Sequence, residues 1–123
     1  MANILLIDDD RDFSALAAAH FSRLGYTVTL SYDGKDGLAK ACLIKPEVIL
    51  LDIMMPGMNG IEVLRELQAA DDAAEIPVVI ISGKYVDQGM IDLFSQERNF
   101  RAFLGKPVAL AALQQKVEAL LKK

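Results

Sequence analysis

The chain has 123 residues, enough for one domain with a substantial core and too few for two. Apolar residues make up 53% and charged residues 24%, a globular composition, and the net charge of -4 argues against a nucleic-acid-binding surface, which would need a basic patch. No apolar run approaches the roughly 18 residues of a membrane span. Met1-Ala2-Asn3 leads into Ile4 with no basic n-region or small-residue cleavage site, so the expected compartment is the cytoplasm.

Ile4-Leu5-Leu6-Ile7 is a continuous apolar run and reads as a buried strand, followed by Asp8-Asp9-Asp10. Phe13, Leu16, Ala17, His20, Phe21 and Leu24 share one face of a helix that Gly25 ends. Thr27-Val28-Thr29-Leu30 alternates polar and apolar, as a half-exposed edge strand does, and Asp33-Gly34 reads as a turn. Leu38, Ala41 and Cys42 mark a second helix that stops before Pro46. Cys42 reads as a small core residue, and a lone cysteine forms no internal disulfide.

Val48-Ile49-Leu50-Leu51 then runs straight into Asp52, and Pro56 and Gly57 punctuate the loop beyond. Asn59 with Glu62 is a capping-box pattern for a third helix that buries Ile61, Leu64 and Leu67. Asp71 to Glu75 is a polar loop. Val78-Val79-Ile80-Ile81 is a further buried strand ending at Ser82-Gly83, and Val86, Met90, Leu93 and Phe94 pattern a fourth helix. Arg101-Ala102-Phe103-Leu104 is a short mixed strand followed by Gly105-Lys106-Pro107, and Leu110, Leu113, Val117, Leu120 and Leu121 pattern the last helix. No linker, repeat or low-complexity tract interrupts this series, so residues 1–123 read as a single domain.

Strands alternating with helices imply an α/β fold, a doubly wound parallel sheet covered on both faces. Three strands are wholly apolar and belong in the middle; the second and fifth are mixed and belong at the edges. This fits a (βα)5, flavodoxin-like sheet of order 2-1-3-4-5, whose switch point would hold Asp8, Asp9 and Asp52 together. Carboxylates so crowded raise one another's pKa, and a hard divalent cation such as Mg2+ relieves them. One His and one Cys do not make an ordinary zinc site. Taken alone, Asp9 or Asp10 reads as a helix cap, Ser82 as a turn residue and Lys106 as a solvated lysine. Together, at neighbouring strand ends, carboxylate, metal, hydroxyl and ammonium make a site for phosphoryl oxygens. His20 reads as a packing residue.

On the residues Ile7-Asp8-Asp9-Asp10, Leu51 to Gly60, Ile81-Ser82-Gly83 and Leu104-Gly105-Lys106-Pro107, the sequence resembles a receiver domain of two-component response regulators over essentially its whole length. The resemblance implies that Asp52 accepts a phosphoryl group from a phosphohistidine of a histidine kinase or histidine phosphotransfer protein. It further implies Mg2+ on Asp8, Asp9, Asp52 and the Met54 backbone carbonyl, Ser82 and Lys106 on the phosphoryl oxygens, and Ser82 and Phe103 as switch residues. It implies a cis Lys106-Pro107 bond. The output face would be the fourth helix, fifth strand and fifth helix, exposing Lys84, Tyr85, Arg98 and Arg101 toward a downstream protein, with no nucleic acid or membrane contact by this domain. Phe103 stands where Tyr is common, Gly83 where Ala is usual, and Gln96 to Arg101 lacks a small-residue turn. Two alternatives are a haloacid-dehalogenase-type phosphatase with Asp8 as nucleophile and Asp10 as acid and base, and a pseudo-receiver that binds partners without phosphorylation. The phosphatase lacks room for a cap domain and has Asp12 where a Thr is expected.

Overall fold

The computed structural model describes residues 2–53, 60–82, 88–106 and 108–121. Five strands, β1 (Asn3–Ile7), β2 (Thr27–Ser31), β3 (Val48–Asp52), β4 (Val78–Ser82) and β5 (Phe100–Gly105), form one parallel sheet of order β2-β1-β3-β4-β5. Between and after them run α1 (Arg11–Arg23), α2 (Gly34–Ile44), α3 (Gly60–Ala69), α4 (Gln88–Ser95) and α5 (Leu110–Leu121). This is the order the apolar and mixed strands imply, and β3 and β4 are buried at every position. No helix among the described residues is long and apolar enough to cross a membrane.

Alternation along the central strands divides the core into two layers. Leu5, Ile7, Ile49, Leu51, Val78 and Ile80 pack against one set of helix residues, among them Ala41, Val63, Leu64, Leu67 and Phe94. Ile4, Leu6, Val48, Leu50, Val79 and Ile81 pack against Ala17, Phe21, Leu113 and Val117. Each such Leu or Ile, fully buried, contributes about 1.5–3 kcal/mol of transfer free energy. Cys42 packs at the margin of the first layer.

Local chemistry sets the ends of the helices. Asp10 caps α1, its side chain accepting the Phe13 N–H at 3.0 Å. The same helix closes with Gly25 at φ 99°; its N–H donates to Ser22 O and the Tyr26 N–H to Phe21 O. Phe21 and Tyr26 meet edge to face at 5.7 Å, the apolar contact that accompanies this Schellman closure. Asp33 and Gly34 are not a free turn: Asp33 caps α2 by accepting the Asp36 N–H, and Gly34 is its first residue. Asp-Gly suits both a turn and a helix start, and here the following periodicity decides.

Three helix faces differ from the sequence expectation. Leu16 is 64% exposed and Leu24 41%, while Ser14 is buried in the stripe Ser14, Ala17, Phe21. In α4 only Phe94 is buried among the described residues, with Met90 and Leu93 exposed. Ile61 is half-buried, and Val63 takes the inward place beside Leu64 and Leu67. Asn59, Val86, Lys84 and Tyr85 lie outside the described residues. Between β4 and β5 the register slips: Val78 pairs with Phe100 but Val79 with Ala102, so Arg101 is an extra residue in a bulge. Phe100 and Phe103 thereby both pack on the first core layer.

Candidate functional site

The four chemical residues sit where three central strands and the edge strand β5 end. Asp52 is the last residue of β3 and Ser82 the last of β4; Asp8 follows β1 and Lys106 follows β5. Backbone hydrogen bonds extend the sheet past the strands at this edge. Asp8 N–H donates to Ser31 O at 2.9 Å, Ile53 N–H to Ile81 O at 3.3 Å, and Lys106 N–H to Ser82 O at 2.7 Å. Gly60, the first residue of α3, donates its N–H to Ile53 O at 3.3 Å. A Cβ at Gly60 would fall 2.1 Å from Ile53 Cγ2, so only glycine allows that approach.

Asp8, Asp52 and Ser82 are buried, and Asp9 is exposed. One carboxylate oxygen from each of Asp8, Asp9 and Asp52 comes within 4.8 Å of the others. Lys106 Nζ stands 2.7 Å from Asp8 Oδ2, 3.8 Å from Asp52 Oδ2 and 3.9 Å from Asp10 Oδ2. Asp8 Oδ1 accepts the Asp10 N–H at 2.9 Å. Burial pushes the Asp8 carboxyl above its ordinary pKa, and the charge of Asp52 pushes the same way. The contact with Lys106 and the Asp10 N–H oppose this without reversing it.

The donor set fits a hard divalent cation. Its oxygens are carboxylate oxygens, they converge, and the nearby ammonium offsets only part of their charge. The opposite sign of Lys106 across the cluster suits oxyanions that approach Asp52. Sequence reasoning therefore placed Asp8, Asp9, Asp52, Ser82 and Lys106 at one edge, and the structure brings them there. It did not foresee that Lys106 pairs more closely with Asp8 than with Asp52. Phe103 lies half-buried on β5, paired in register with Ile80 and packed on the first core layer. Met54, with its backbone carbonyl, and Pro107, with the bond before it, lie outside the described residues.

Two residues at the site were missed as such. Ser14 is buried and its hydroxyl donates to Asp8 O at 3.4 Å, tying α1 to the end of β1. Phe13, read as core, lies with its ring 4.6 Å from Lys106 Nζ. The signal for both was Asp10 as a cap, which fixes the rotation of α1 and so the side it turns to the strand ends. His20 bonds Gln114 Oε1 through Nε2 at 2.8 Å and meets Phe21 edge to face, a packing role. Asp10, the acid and base of the phosphatase alternative, has one carboxylate oxygen engaged in capping α1.

The comparisons with known proteins agree with this geometry. The chain is 35% identical over 121 residues to Protein PilH of Pseudomonas aeruginosa, covering 98% of both chains. It is 32% identical to the response regulator MprA of Mycobacterium ulcerans, covering 98% of this chain and 50% of that one. The chain thus spans nearly all of PilH and about half the length of MprA. Among solved structures, the chemotaxis protein CheY4 of Vibrio cholerae shares the fold with a TM-score of 0.91, at 23% identity over 98% of this chain and 99% of that one. The receiver domain of a Pseudomonas aeruginosa sensor histidine kinase, solved with magnesium in its active-site cleft, is 26% identical with a TM-score of 0.86, covering 99% and 98%. The family profile of the response regulator receiver domain matches residues 4–118. The chain belongs to that family, the phosphorylation-controlled signalling switches of two-component systems.

Proposed function

We propose that Asp52 is the phosphoacceptor and that its modification by a phosphohistidine of a histidine kinase or histidine phosphotransfer protein is what switches this domain. The observation that carries the reading is the convergence of Asp8, Asp9 and Asp52 within 4.8 Å, with Lys106 Nζ beside them. An Asp52 carboxylate oxygen forms a bond to phosphorus as the P–N bond to the donor imidazole breaks, and the imidazole leaves with that electron pair. Asp8, Asp9 and Asp52 would hold Mg2+, with the Met54 carbonyl as a further ligand; when bound, the ion neutralises charge on the transferring phosphoryl oxygens. Lys106 carries a positive charge to the same oxygens, and Ser82, at the neighbouring strand end, offers a hydroxyl. The buried walls around Asp8 and Asp52 keep these charges unscreened.

The domain catalyses its own phosphorylation and slow hydrolysis and turns over no metabolite. Phe103 has no hydroxyl, so its response is a change of packing on the first core layer rather than a new hydrogen bond. The readout is altered binding of a downstream protein through α4, β5 and α5, where Arg98 and Arg101 are exposed. We place it in the cytoplasm, where the free thiol of Cys42 stays reduced. The longer relatives attach a further region to this domain, as in MprA, whereas PilH does not exceed it.

Acetyl phosphate with Mg2+ should add one phosphoryl mass to the intact protein. Asp52→Asn should abolish the gain, because an amide forms no acyl phosphate. Borohydride trapping that puts the label on Asp8, or uptake by the Asn variant at the parent rate, refutes the assignment.

A further inference from the structure

We infer that Phe13 is a positioning residue for the phosphoryl-transfer chemistry, acting through a cation–π contact that holds the Lys106 ammonium between Asp8 and Asp52. The inference rests on the reading of Asp52 as phosphoacceptor and deepens it. Lys106 Nζ lies over the Phe13 ring, 4.6 Å from its centroid, inside the range in which a ring face attracts a cation. The same ammonium meets Asp8 Oδ2 at 2.7 Å and Asp52 Oδ2 at 3.8 Å. A lysine stem has four rotatable bonds, so something must limit where its charge goes.

The ring is itself held in place. Asp8 Oδ1 accepts the Asp10 N–H, and Asp10 Oδ1 accepts the Phe13 N–H at 3.0 Å. Two consecutive hydrogen bonds therefore connect the buried carboxylate to the backbone of the residue whose ring its own counter-ion rests on. Phe13 is half-buried against the second core layer, so its backbone and ring are fixed from both sides. Nothing in this chain of contacts requires an aromatic residue for packing alone; a leucine would fill much of the same space. What only the ring supplies is a face of negative potential in a site where Lys106 is mostly shielded from water, its side chain 15% exposed. When a phosphoryl group draws the ammonium toward Asp52, the ring keeps it within reach instead of releasing it to solvent.

The test is a double-mutant cycle with a spectroscopic control. In the whole protein, the Lys106 Cε protons should be shifted upfield by the Phe13 ring current; the shift should persist in Phe13→Tyr and vanish in Phe13→Leu. Phosphorylation by acetyl phosphate at saturating Mg2+ should be about three- to tenfold slower in Phe13→Leu and restored in Phe13→Tyr. In a Lys106→Ala background, Phe13→Leu should cost nothing further, because the residue acts through the lysine. An equal loss in both backgrounds, a Tyr variant as slow as Leu, or no ring-current shift in the parent overturns the inference. Should Phe13→Leu fail to fold, Phe13→Met is read in the same two backgrounds, and a loss that is absent in the parent background or equal in both overturns the inference. These outcomes are separate from the phosphoacceptor assignment, which Asp52→Asn tests in the same assay.

Discussion

Two aspartate–lysine pairs in this molecule have nearly the same length and opposite electrostatics. At the carboxyl edge of the sheet, Lys106 Nζ is 2.7 Å from Asp8; at the β2–α2 corner, Lys40 Nζ is 2.9 Å from Asp36. Asp8 has its pKa raised and Asp36 has its pKa lowered. The difference lies in the solvent. Asp36 is half exposed, and Lys40 and the Ser31 hydroxyl favour its charged form while burial opposes only weakly. Asp8 is fully buried beside Asp52, and a single shared ammonium does not repay the lost hydration. An ion pair at the corner fastens a helix to a strand, with Lys40 also donating to Leu30 O. The pair at the sheet edge is a strained arrangement that stores affinity for more positive charge.

Removing the buried lysine should break this contrast most severely. In metal-free protein at neutral pH, Lys106→Ala should cost about 2–3 kcal/mol, somewhat below the usual loss for a buried pair because Asp8 can take up a proton. Melting curves would show it, and Mg2+ should restore most of the loss. A Lys106→Ala protein as stable as the parent would mean that the pair is not buried as described.

Adding the cation comes next. Mg2+ at about 100 times its dissociation constant should stabilise the fold by roughly 2.7 kcal/mol. Asp52→Asn should raise metal-free stability and shrink this response. An unchanged melting curve in millimolar Mg2+ at neutral pH would remove the metal site from the reading.

The sharpest version of the comparison is a pH series without metal. Asp8 binds its proton more tightly in the folded state, so its contribution favours folding at low pH and is lost as pH rises from the ordinary carboxylate value through the raised one. Asp36 runs the other way: its contribution is present above the ordinary value and is lost as pH falls through the lowered one. Asp8→Asn should therefore flatten the decline on the alkaline side. Asp36→Asn should cost at most about 1 kcal/mol at neutral pH, less in molar salt, and should leave that decline intact. Equal slopes in the two variants would contradict the environments assigned to them.

The fold was legible because the three central strands are uninterrupted runs of Leu, Ile and Val, whose burial puts them in the middle of the sheet and fits the order 2-1-3-4-5. The site was legible because its acids follow strands, where backbone direction alone brings them together. Errors arose where a polar residue is inside or an apolar one outside. Ser14 is buried because Asp8 O accepts its hydroxyl, a partner remote from any helical periodicity, and Leu16 is displaced to the surface in consequence of the same rotation. The tie between Glu97 and α3, through Arg65 at 3.6 Å and Gln68, likewise joins residues far apart in the chain. The closer pairing of Lys106 with Asp8 than with Asp52 depends on tenths of a nanometre that no spacing encodes.

The bulge at Arg101 gives β5 an odd residue, and its consequence is one of parity. Every side chain after it faces opposite to where an unbroken register from Phe100 would send it, Phe103 and the turn into Lys106 included. Deleting Arg101 would take out the odd residue and leave Phe100 opposite Val78 and Ala102 opposite Val79, so every side chain of β5 would keep its face. The bulge is thus where this strand can lose a residue without exchanging its two faces.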